Sequence, residues 1–127
     1  MLGLALSRVL ADRHEVVALP RADLDVTDLP AVQAALARWA PDAVLHAGAW
    51  TDVDGCQRDP DRAFRVNGLG ARNVALACQA TGVGCCYIST DYVFDGAKAE
   101  PYTEFDLPNP ISVYGASKLA GERAVQA

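Results

Sequence analysis

Hydrophobic positions along the chain follow two spacings that alternate. Helical spacing is seen over Leu2–Leu10, from the cap at Thr27-Asp28 to Trp39, from Asp59-Pro60 to Thr81-Gly82, and onward from about Ser112. Short continuous apolar runs separate these segments, at Glu15–Leu19, from about Asp42, and in CCYIST before Asp91. Such an alternation indicates βαβ units. The pattern therefore predicts a single α/β domain, a doubly wound parallel sheet with helices on both faces.

The first helix is preceded by no strand. In doubly wound dinucleotide folds the first strand is central, and phosphate-binding glycines follow it. Only Gly3 stands at the corresponding place, in the first turn of the helix. We therefore expect the first strand to be missing, which would leave an open gap between Glu15–Leu19 and Asp42–His46.

A missing central strand would be costly. It removes several large apolar side chains, each contributing about 1.5–3 kcal/mol. The total is comparable with the whole stability of a domain, about 5–15 kcal/mol. We expect a chain that is marginally folded or that leaves this gap open, and the simplest interpretation is a fragment.

Composition narrows the class of protein. With 127 residues, 51% hydrophobic and 21% charged, the chain has the size and composition of one soluble domain. Its net charge of −5 and scattered basic residues argue against nucleic acid as a partner. No apolar run approaches the roughly 20 residues of a membrane span, and no secretory signal is evident. We expect no membrane association and a cytoplasmic location.

Cysteine and histidine give no metal signature. The four cysteines form no C-x-x-C pair and lie at no zinc-binding spacing with histidine. We expect all four to be small buried hydrophobic residues, and we expect no metal site. Trp39 lies at helical spacing with Val32 and Leu36, which favours a place in the core.

One helical segment carries candidate chemistry. In VYGASKLAGERAV, Val113–Val125, a tyrosine and a lysine are four residues apart, so Tyr114 and Lys118 share one helix face. Only Gly115, Ala116 and Ser117 lie between them. A pair of this kind is common on helix surfaces, and its meaning depends on the rest of the chain.

Further motifs accompany this pair in a fixed order. They are RADLDVTD (21–28), PDAVLHAGAWTDVD (41–54), VNGLGARNVALAC (66–78), STDYVFDG (89–96), PYTE (101–104) and PNPISVYGASKLAGE (108–122). Together they resemble the dTDP-4-dehydrorhamnose reductases, extended members of the short-chain dehydrogenase/reductase superfamily. The resemblance covers essentially all 127 residues. It implies a partial NAD(P)-binding Rossmann domain over residues 1–127, without the substrate-binding domain.

The resemblance implies a hydride transfer from a nicotinamide to the 4-keto group of a dTDP-6-deoxy sugar. Tyr114 would protonate the carbonyl oxygen, and the Lys118 cation would favour the phenolate form and hold the nicotinamide ribose. Thr90 would hydrogen-bond the substrate carbonyl at the carboxyl end of its strand, and Asp91 would be a neighbouring substrate contact. The predicted catalytic set is therefore Tyr114, Lys118 and Thr90.

The same resemblance implies further cofactor contacts. Asp25 and Val26 match an adenine-contacting pair, and Gly3 matches a fingerprint glycine. A loop after the next strand supplies four more positions, Ala47, Ala49, Trp50 and Thr51. Asn67 matches a helix asparagine that supports the site.

The cofactor is NADPH or NADH, and the residues favour NADPH. Pro20 stands where such folds often place the acid that binds the ribose 2′-hydroxyl. Without that carboxylate, and with Arg21 adjacent, a 2′-phosphate is accommodated. Two further departures from the family pattern, His46 and Gly48, do not touch the hydride chemistry.

Three functions stay open. The first is the nucleotide-binding part of a reductase that makes dTDP-L-rhamnose, inactive as an isolated chain and a homodimer candidate at full length. The second is a non-catalytic NADP-binding subunit resembling the regulatory subunit of methionine adenosyltransferase. The third is no function for this chain alone.

Overall fold

A computed structural model describes residues 2–127. Within this range the chain forms α1 (Leu2–Leu10), α2 (Leu29–Trp39), β1 (Ala43–His46), α3 (Val53–Arg58), α4 (Pro60–Ala63), α5 (Gly70–Thr81), β2 (Gly84–Tyr87) and α6 (Val113–Gln126). A π-helical segment, Phe64–Leu69, joins α4 to α5, and a 3₁₀ turn, Asp91–Val93, follows β2. The predicted α/β class is confirmed.

The two strands pair in parallel, as the pattern predicts. Ala43 lies opposite Gly84, and His46 lies opposite Tyr87. The connection between them runs through α3, α4, the π-helical segment and α5, because parallel strands need a long crossover. The site described below lies beside the carboxyl ends of these strands.

A compact apolar cluster lies between α2, α5 and one face of the sheet. Its buried members are Val32, Leu36, Val74, Ala77 and Cys78. Half-buried Val44 and Cys85 extend the cluster from the two strands. Because side chains alternate along a strand, this face takes every second residue.

Local sequence signals explain where the helices begin and end. The Asp28 carboxylate accepts a hydrogen bond from the Ala31 amide at 3.1 Å, and Pro30 occupies the first turn of α2. The Ser112 hydroxyl caps α6 in the same way. Gly82, at φ +70°, ends α5 in the left-handed conformation that glycine adopts most easily.

The strand predicted at Glu15–Leu19 is wrong. These residues form no strand, and Val16, Val17 and Leu19 are exposed. An extended segment becomes a strand only when its backbone groups pair with a neighbour, and the sheet of residues 2–127 contains only β1 and β2. Within residues 2–127, β1 pairs with β2 on one side only. Its other edge, which faces the expected gap, has no neighbouring strand there.

Within residues 2–127, the helices that pack on the two-stranded sheet cover one of its faces. Leu45 and Cys86, on the face opposite the apolar cluster, are exposed. Helix α1 forms as predicted, but it has no buried residue and packs against no other described element. One face of the sheet is therefore covered and the other is open.

The single long helix predicted from Asp59 is three segments: α4, the π-helical segment and α5. The pattern also missed α3, which the Asp52 carboxylate caps through the Gly55 amide at 2.9 Å. Apolar spacing alone cannot separate an α-helical turn from a π-helical one, because both place side chains toward the same core.

Two expectations about buried side chains are wrong. Trp39 is 43% exposed rather than in the core, because it ends α2 and its ring lies beside the Arg38 guanidinium, 4.8 Å away. Cys56 and Cys78 are buried as expected, but Cys85 is half-buried and Cys86 is exposed on the open sheet face. All four are free thiols.

Residues 2–127 contain neither a membrane-spanning helix nor a cluster of metal-binding side chains. None of these helices has the length and apolar character needed to cross a membrane. In the same part of the chain, no three histidine, cysteine or acidic side chains are grouped as a metal would require.

Candidate active site

Helix α6 presents the predicted tyrosine and lysine from one buried face. Tyr114 is 8% exposed and Lys118 is 3% exposed. The small residues between them allow this depth: a Cβ at Gly115 would collide with the backbone carbonyl oxygen of Tyr92. The helix can therefore approach the loop after β2 only because position 115 carries no side chain.

The ammonium group of Lys118 is anchored next to the sheet. Its Nζ donates a hydrogen bond to the Ile88 carbonyl oxygen at 2.6 Å and lies 4.1 Å from the centre of the Tyr87 ring. Ile88 directly follows β2 and precedes Thr90 by two residues. The charge of Lys118 is thus held at the carboxyl end of a parallel strand, where ligands of such sheets bind.

Burial changes the proton affinity of this lysine. Loss of hydration lowers the pKa of Lys118 to about 8, and the nearby Glu122 carboxylate opposes that shift. Lys118 therefore stays mainly protonated at pH 7. An ammonium group has three donors, so after the bond to Ile88 it can still donate to a ligand.

Tyr114 packs in a second apolar cluster, with Cys56 and Ala63. Its ring also meets the Tyr92 ring edge to face, with centroids 5.4 Å apart. These contacts come from α3, α4 and the loop after β2, so the phenol is held by three parts of the chain. Packing therefore fixes the position of its ring.

Thr90 and Asp91 lie where β2 leads into the 3₁₀ turn. The Thr90 hydroxyl donates to Asp91 Oδ1 at 3.2 Å and accepts from the Tyr92 amide at 3.3 Å. Asp91 also lines a cavity of about 400 Å³ together with Tyr92 and Phe94. Through Ile88 and Tyr92, the structure brings Thr90 to the same end of the sheet as Tyr114 and Lys118.

A buried hydrogen-bond network connects α6 to the loop after β1. The Asn67 side chain accepts from the Trp50 amide at 2.8 Å and donates to the Trp50 carbonyl and to the Ser117 hydroxyl, at 3.1 and 2.9 Å. Ser117 donates in turn to the Tyr114 carbonyl at 2.7 Å. Asn67 thus links the loop after β1 to the helix that carries Tyr114 and Lys118.

Ser117 is a residue that sequence reasoning missed. It is fully buried, and it lies between Tyr114 and Lys118 on the turn that joins them. A single polar residue among small neighbours was the available signal. Its hydroxyl bonds both the Tyr114 carbonyl and the Asn67 side chain, so it fixes this turn of α6 against Asn67.

Tyr87 is a second missed residue. Its hydroxyl lies within 3.5 Å of the Asn67 and Lys118 carbonyl oxygens, and its ring lies under the Lys118 ammonium. Burial raises the pKa of Tyr87, so it remains a neutral phenol. Its strand position, on the same face as Cys85, was the signal for burial against helices.

Two buried polar atoms have no partner within residues 2–127: Nε2 of His46 and Oγ of Ser89. His46 ends β1, and Ser89 follows β2, so both lie at the carboxyl ends of the strands. Burial and the Lys118 charge lower the pKa of His46 to about 4, which keeps its imidazole neutral. Buried polar groups nearly always have partners, so this region fits a ligand rich in donors and acceptors, as a dinucleotide is.

The residues predicted to contact the cofactor lie in two places, in the loop after β1 and in the turn before α2. Ala47, Ala49, Trp50 and Thr51 follow β1 and reach the carboxyl end of the sheet. Asp25 and Val26 lie before α2. Thr27 hydrogen bonds lower the pKa of Asp25, and the charges of Arg21 and Arg65 lower it further.

Gly3 is not brought to the site, because α1 packs against no other described element. A Cβ at Gly3 would meet no atom of the described part of the chain within 4 Å, its neighbours in sequence and its own helix backbone apart.

Parallel strands, a helical crossover and a buried Tyr-x-x-x-Lys helix define a Rossmann-like domain of the short-chain dehydrogenase/reductase class. The comparisons with known proteins narrow this class. The family model described as "RmlD substrate binding domain" matches residues 1–127, and the chain belongs to that family.

Individual relatives agree with this assignment. A dTDP-4-dehydrorhamnose reductase from Streptomyces griseus is 46% identical over 126 residues, which are 98% of this chain and 41% of that protein. The structure of dTDP-4-dehydrorhamnose reductase from Bacillus anthracis, in complex with NADP, has a TM-score of 0.95 and 41% identity. That match covers 98% of this chain and 45% of the other.

A third similar protein is RMD from Pseudomonas aeruginosa, solved in complex with NADPH. It has a TM-score of 0.82 and 32% identity over 97% of this chain and 43% of its own. The chain thus spans less than half the length of the relatives it matches.

Proposed function

We propose that the chain forms the nucleotide-binding part of an NADPH-dependent reductase that converts dTDP-4-dehydro-L-rhamnose to dTDP-L-rhamnose. The observation that carries this proposal is the buried Lys118 ammonium, fixed on the Ile88 carbonyl one helical turn from buried Tyr114. A surface pair of the same residues would have neither burial nor an anchor. The named reductases among the relatives supply the substrate class.

In this proposal each residue has a distinct part in the reduction of a ketone. The Tyr114 hydroxyl donates a proton to the carbonyl oxygen of the substrate as that oxygen gains charge. Lys118, protonated at pH 7, stabilises the resulting phenolate. Thr90, whose present hydrogen bonds are long at 3.2 and 3.3 Å, can turn its hydroxyl toward the same oxygen.

The residues present fit a nicotinamide dinucleotide. Lys118 would donate to the nicotinamide ribose, and the loop at Ala47, Ala49, Trp50 and Thr51 would cover the cofactor. Among residues 2–127, the buried Nε2 of His46 and Oγ of Ser89 have no hydrogen-bond partner, and both lie at the same end of the sheet. When bound, NADPH supplies the hydride that the ketone carbon accepts.

The test is a chimera in which residues 2–127 replace the matching segment of the Streptomyces griseus relative. We expect this protein to oxidise NADPH in the presence of dTDP-4-dehydrorhamnose. In the chimera, Tyr114→Phe keeps the ring and its packing but removes the proton donor. Turnover should fall about 10²–10⁴-fold, while NADPH binding measured by calorimetry is retained.

Unchanged turnover in the Tyr114→Phe chimera would contradict the catalytic assignment. A chimera that folds but binds no NADPH would contradict the cofactor assignment, which rests on other residues. Circular dichroism of both proteins separates these outcomes from a failure to fold.

A further inference from the structure

A cavity of about 290 Å³ lies on the side of the domain that carries Asp25. Three separate parts of the chain line it: the turn before α2, helix α4 and the π-helical segment. The lining residues are Arg21, Asp25, Thr27, Arg62, Arg65 and Val66.

The charges around this cavity are unbalanced. Three guanidinium groups face one carboxylate, that of Asp25. In residues 2–127 the ion pairs within 4 Å are Arg58–Asp52 and Lys98–Asp106, so none of the three cavity arginines is neutralised at that distance. The cavity therefore carries a net positive charge that a bound anion would complement.

The Asp25 carboxylate already accepts two hydrogen bonds from Thr27. Asp25 Oδ1 accepts from the Thr27 amide at 2.9 Å and from the Thr27 hydroxyl at 2.8 Å. These bonds hold Asp25 in its turn and fix where its charge lies. Two cationic charges remain in excess for a ligand.

Two of the arginines project from well-fixed elements. The Arg62 guanidinium lies 4.2 Å from the centre of the Trp50 ring, and its amide is capped by Asp59 at 3.1 Å. Arg65 lies in the π-helical segment, which Asn67 ties to Trp50. A ligand held here would meet partly preorganised donors.

The chemistry of the cavity selects a phosphate. Guanidinium groups bind phosphate oxygens through paired N–H donors, and they do so better than ammonium groups. In doubly wound folds, an acid near the end of the second strand binds the ribose 2′-hydroxyl of NAD, and an arginine nearby accommodates the 2′-phosphate of NADP. Here Pro20 provides no acid, and Arg21 follows it.

We infer that Arg62 and Arg65, together with Arg21, bind the adenosine 2′-phosphate of NADPH and so discriminate against NADH. This inference rests on the proposed function, and it adds two specificity residues contributed by α4 and the π-helical segment. In such folds, the residues that select NADP over NAD are expected near the end of the second strand, at Pro20-Arg21. Arg62 and Arg65 lie about 40 residues further along the chain.

Half-cofactors test this inference on the chain of residues 1–127. Calorimetry would compare 2′,5′-ADP, which carries the 2′-phosphate, with 5′-AMP, which lacks it. We expect 2′,5′-ADP to bind at least about tenfold more tightly, as two charge-assisted contacts imply. The double variant Arg62→Gln/Arg65→Gln should lose this preference while its affinity for 5′-AMP stays unchanged.

Arg72→Gln is the matched control, because Arg72 is exposed on α5 and does not line the cavity. It removes one positive charge and should keep the full preference. Arg65→Gln alone provides a second variant if loss of the Arg62–Trp50 contact disturbs folding, and it should lose part of the preference. Circular dichroism checks each variant.

Equal affinity of the unchanged chain for 2′,5′-ADP and 5′-AMP would overturn the inference, while binding of both would still support the proposed cofactor site. Binding of inorganic phosphate as tight as that of 2′,5′-ADP would also overturn it, since the cavity would then be a free-phosphate site. Failure to bind NADPH and both half-cofactors would overturn the inference and the proposed function together.

Discussion

At the scale of single residues, Lys118 keeps a positive charge where burial opposes it. Lys118 as a residue is only 3% exposed, so its ammonium group loses most of its hydration. The Ile88 carbonyl, at 2.6 Å, and the face of the Tyr87 ring replace part of that hydration. The structure therefore gives up some stability to hold a cation beside Tyr114, as functional sites commonly do.

His46 gives a prediction about acid stability. Its pKa is lowered to about 4 from the ordinary value of 6.5 by burial and by the Lys118 charge. Between these values the unfolded chain binds a proton that the folded chain does not. Unfolding free energy should thus fall as pH drops from 6.5 to 4, by about 3 kcal/mol in total.

The measurement is the denaturant midpoint of the chain between pH 6.5 and 4, compared with that of His46→Asn, which cannot titrate. The variant should lose most of the pH dependence. Asp25, Asp95 and Asp106 also have lowered pKa values, but stability from them is lost only below about 3.8. An equally steep pH dependence in His46→Asn would contradict the prediction.

At the scale of elements, the position of α6 against the π-helical segment shapes the site. Gly121 lies in this contact, and a Cβ there would lie 2.5 Å from the Tyr87 hydroxyl and 2.6 Å from the Asn67 carbonyl oxygen. Both are much closer than a normal contact. The absence of a side chain at 121 therefore sets how near α6 comes to Tyr87 and Asn67.

Gly121→Ala should push α6 away from the π-helical segment. We expect a loss of about 1–3 kcal/mol in unfolding free energy, the usual cost of overpacking. Gly3→Ala is the matched control, because Gly3 is also a helical glycine but a Cβ there would meet no other packed group of residues 2–127 within 4 Å. It should cause no loss, and alanine favours an exposed helix by about 0.5–1 kcal/mol.

Urea unfolding of the two variants beside the unchanged chain provides the comparison. If Gly121→Ala were as stable as Gly3→Ala, α6 would not pack against Tyr87 and Asn67 as closely as described.

At the scale of the whole molecule, the sheet has a covered face and an open one. The apolar cluster of α2 and α5 stabilises one face, while Leu45 and Cys86 are exposed on the other. Apolar burial is the main source of stability, so a sheet buried on one side gains less than one buried on both. The unfolding free energy of residues 1–127 should consequently depend strongly on whether a ligand is bound to the domain.

NADPH should raise the thermal unfolding temperature of the chain. A ligand that binds only the folded state adds about 2.7 kcal/mol at 100 times its dissociation constant. Circular dichroism melts with and without NADPH, and with NADH as the comparison, measure the effect. We expect a smaller rise with NADH at equal concentration; no rise with either would contradict a dinucleotide site.

Much of the local structure could be predicted from the sequence. The caps at Asp28 and Ser112 and the stop at Gly82 all follow from short-range signals. Such signals act within a few residues, so they do not depend on distant contacts. The shared helix face of Tyr114 and Lys118 is of the same kind.

Predictions that required a partner elsewhere in the chain were less successful. Glu15–Leu19 has the composition of a strand, but a strand needs a neighbour to pair with. Trp39 has core spacing, but the end of α2 extends past the cluster that buries Val32 and Leu36. Burial is decided by what packs opposite, and sequence spacing does not contain that information.

The sequence by itself determined the α/β class, the capped helix ends at Asp28, Gly82 and Ser112, and the helical spacing that puts Tyr114 and Lys118 on one face, because these follow from periodicity and capping. Tertiary structure alone decided that Asn67 joins Trp50 to Ser117, that Tyr87 lies under Lys118, and that Arg21, Arg62 and Arg65 share one cavity. These residues are far apart along the chain, and only packing of the helices against the sheet brings them together.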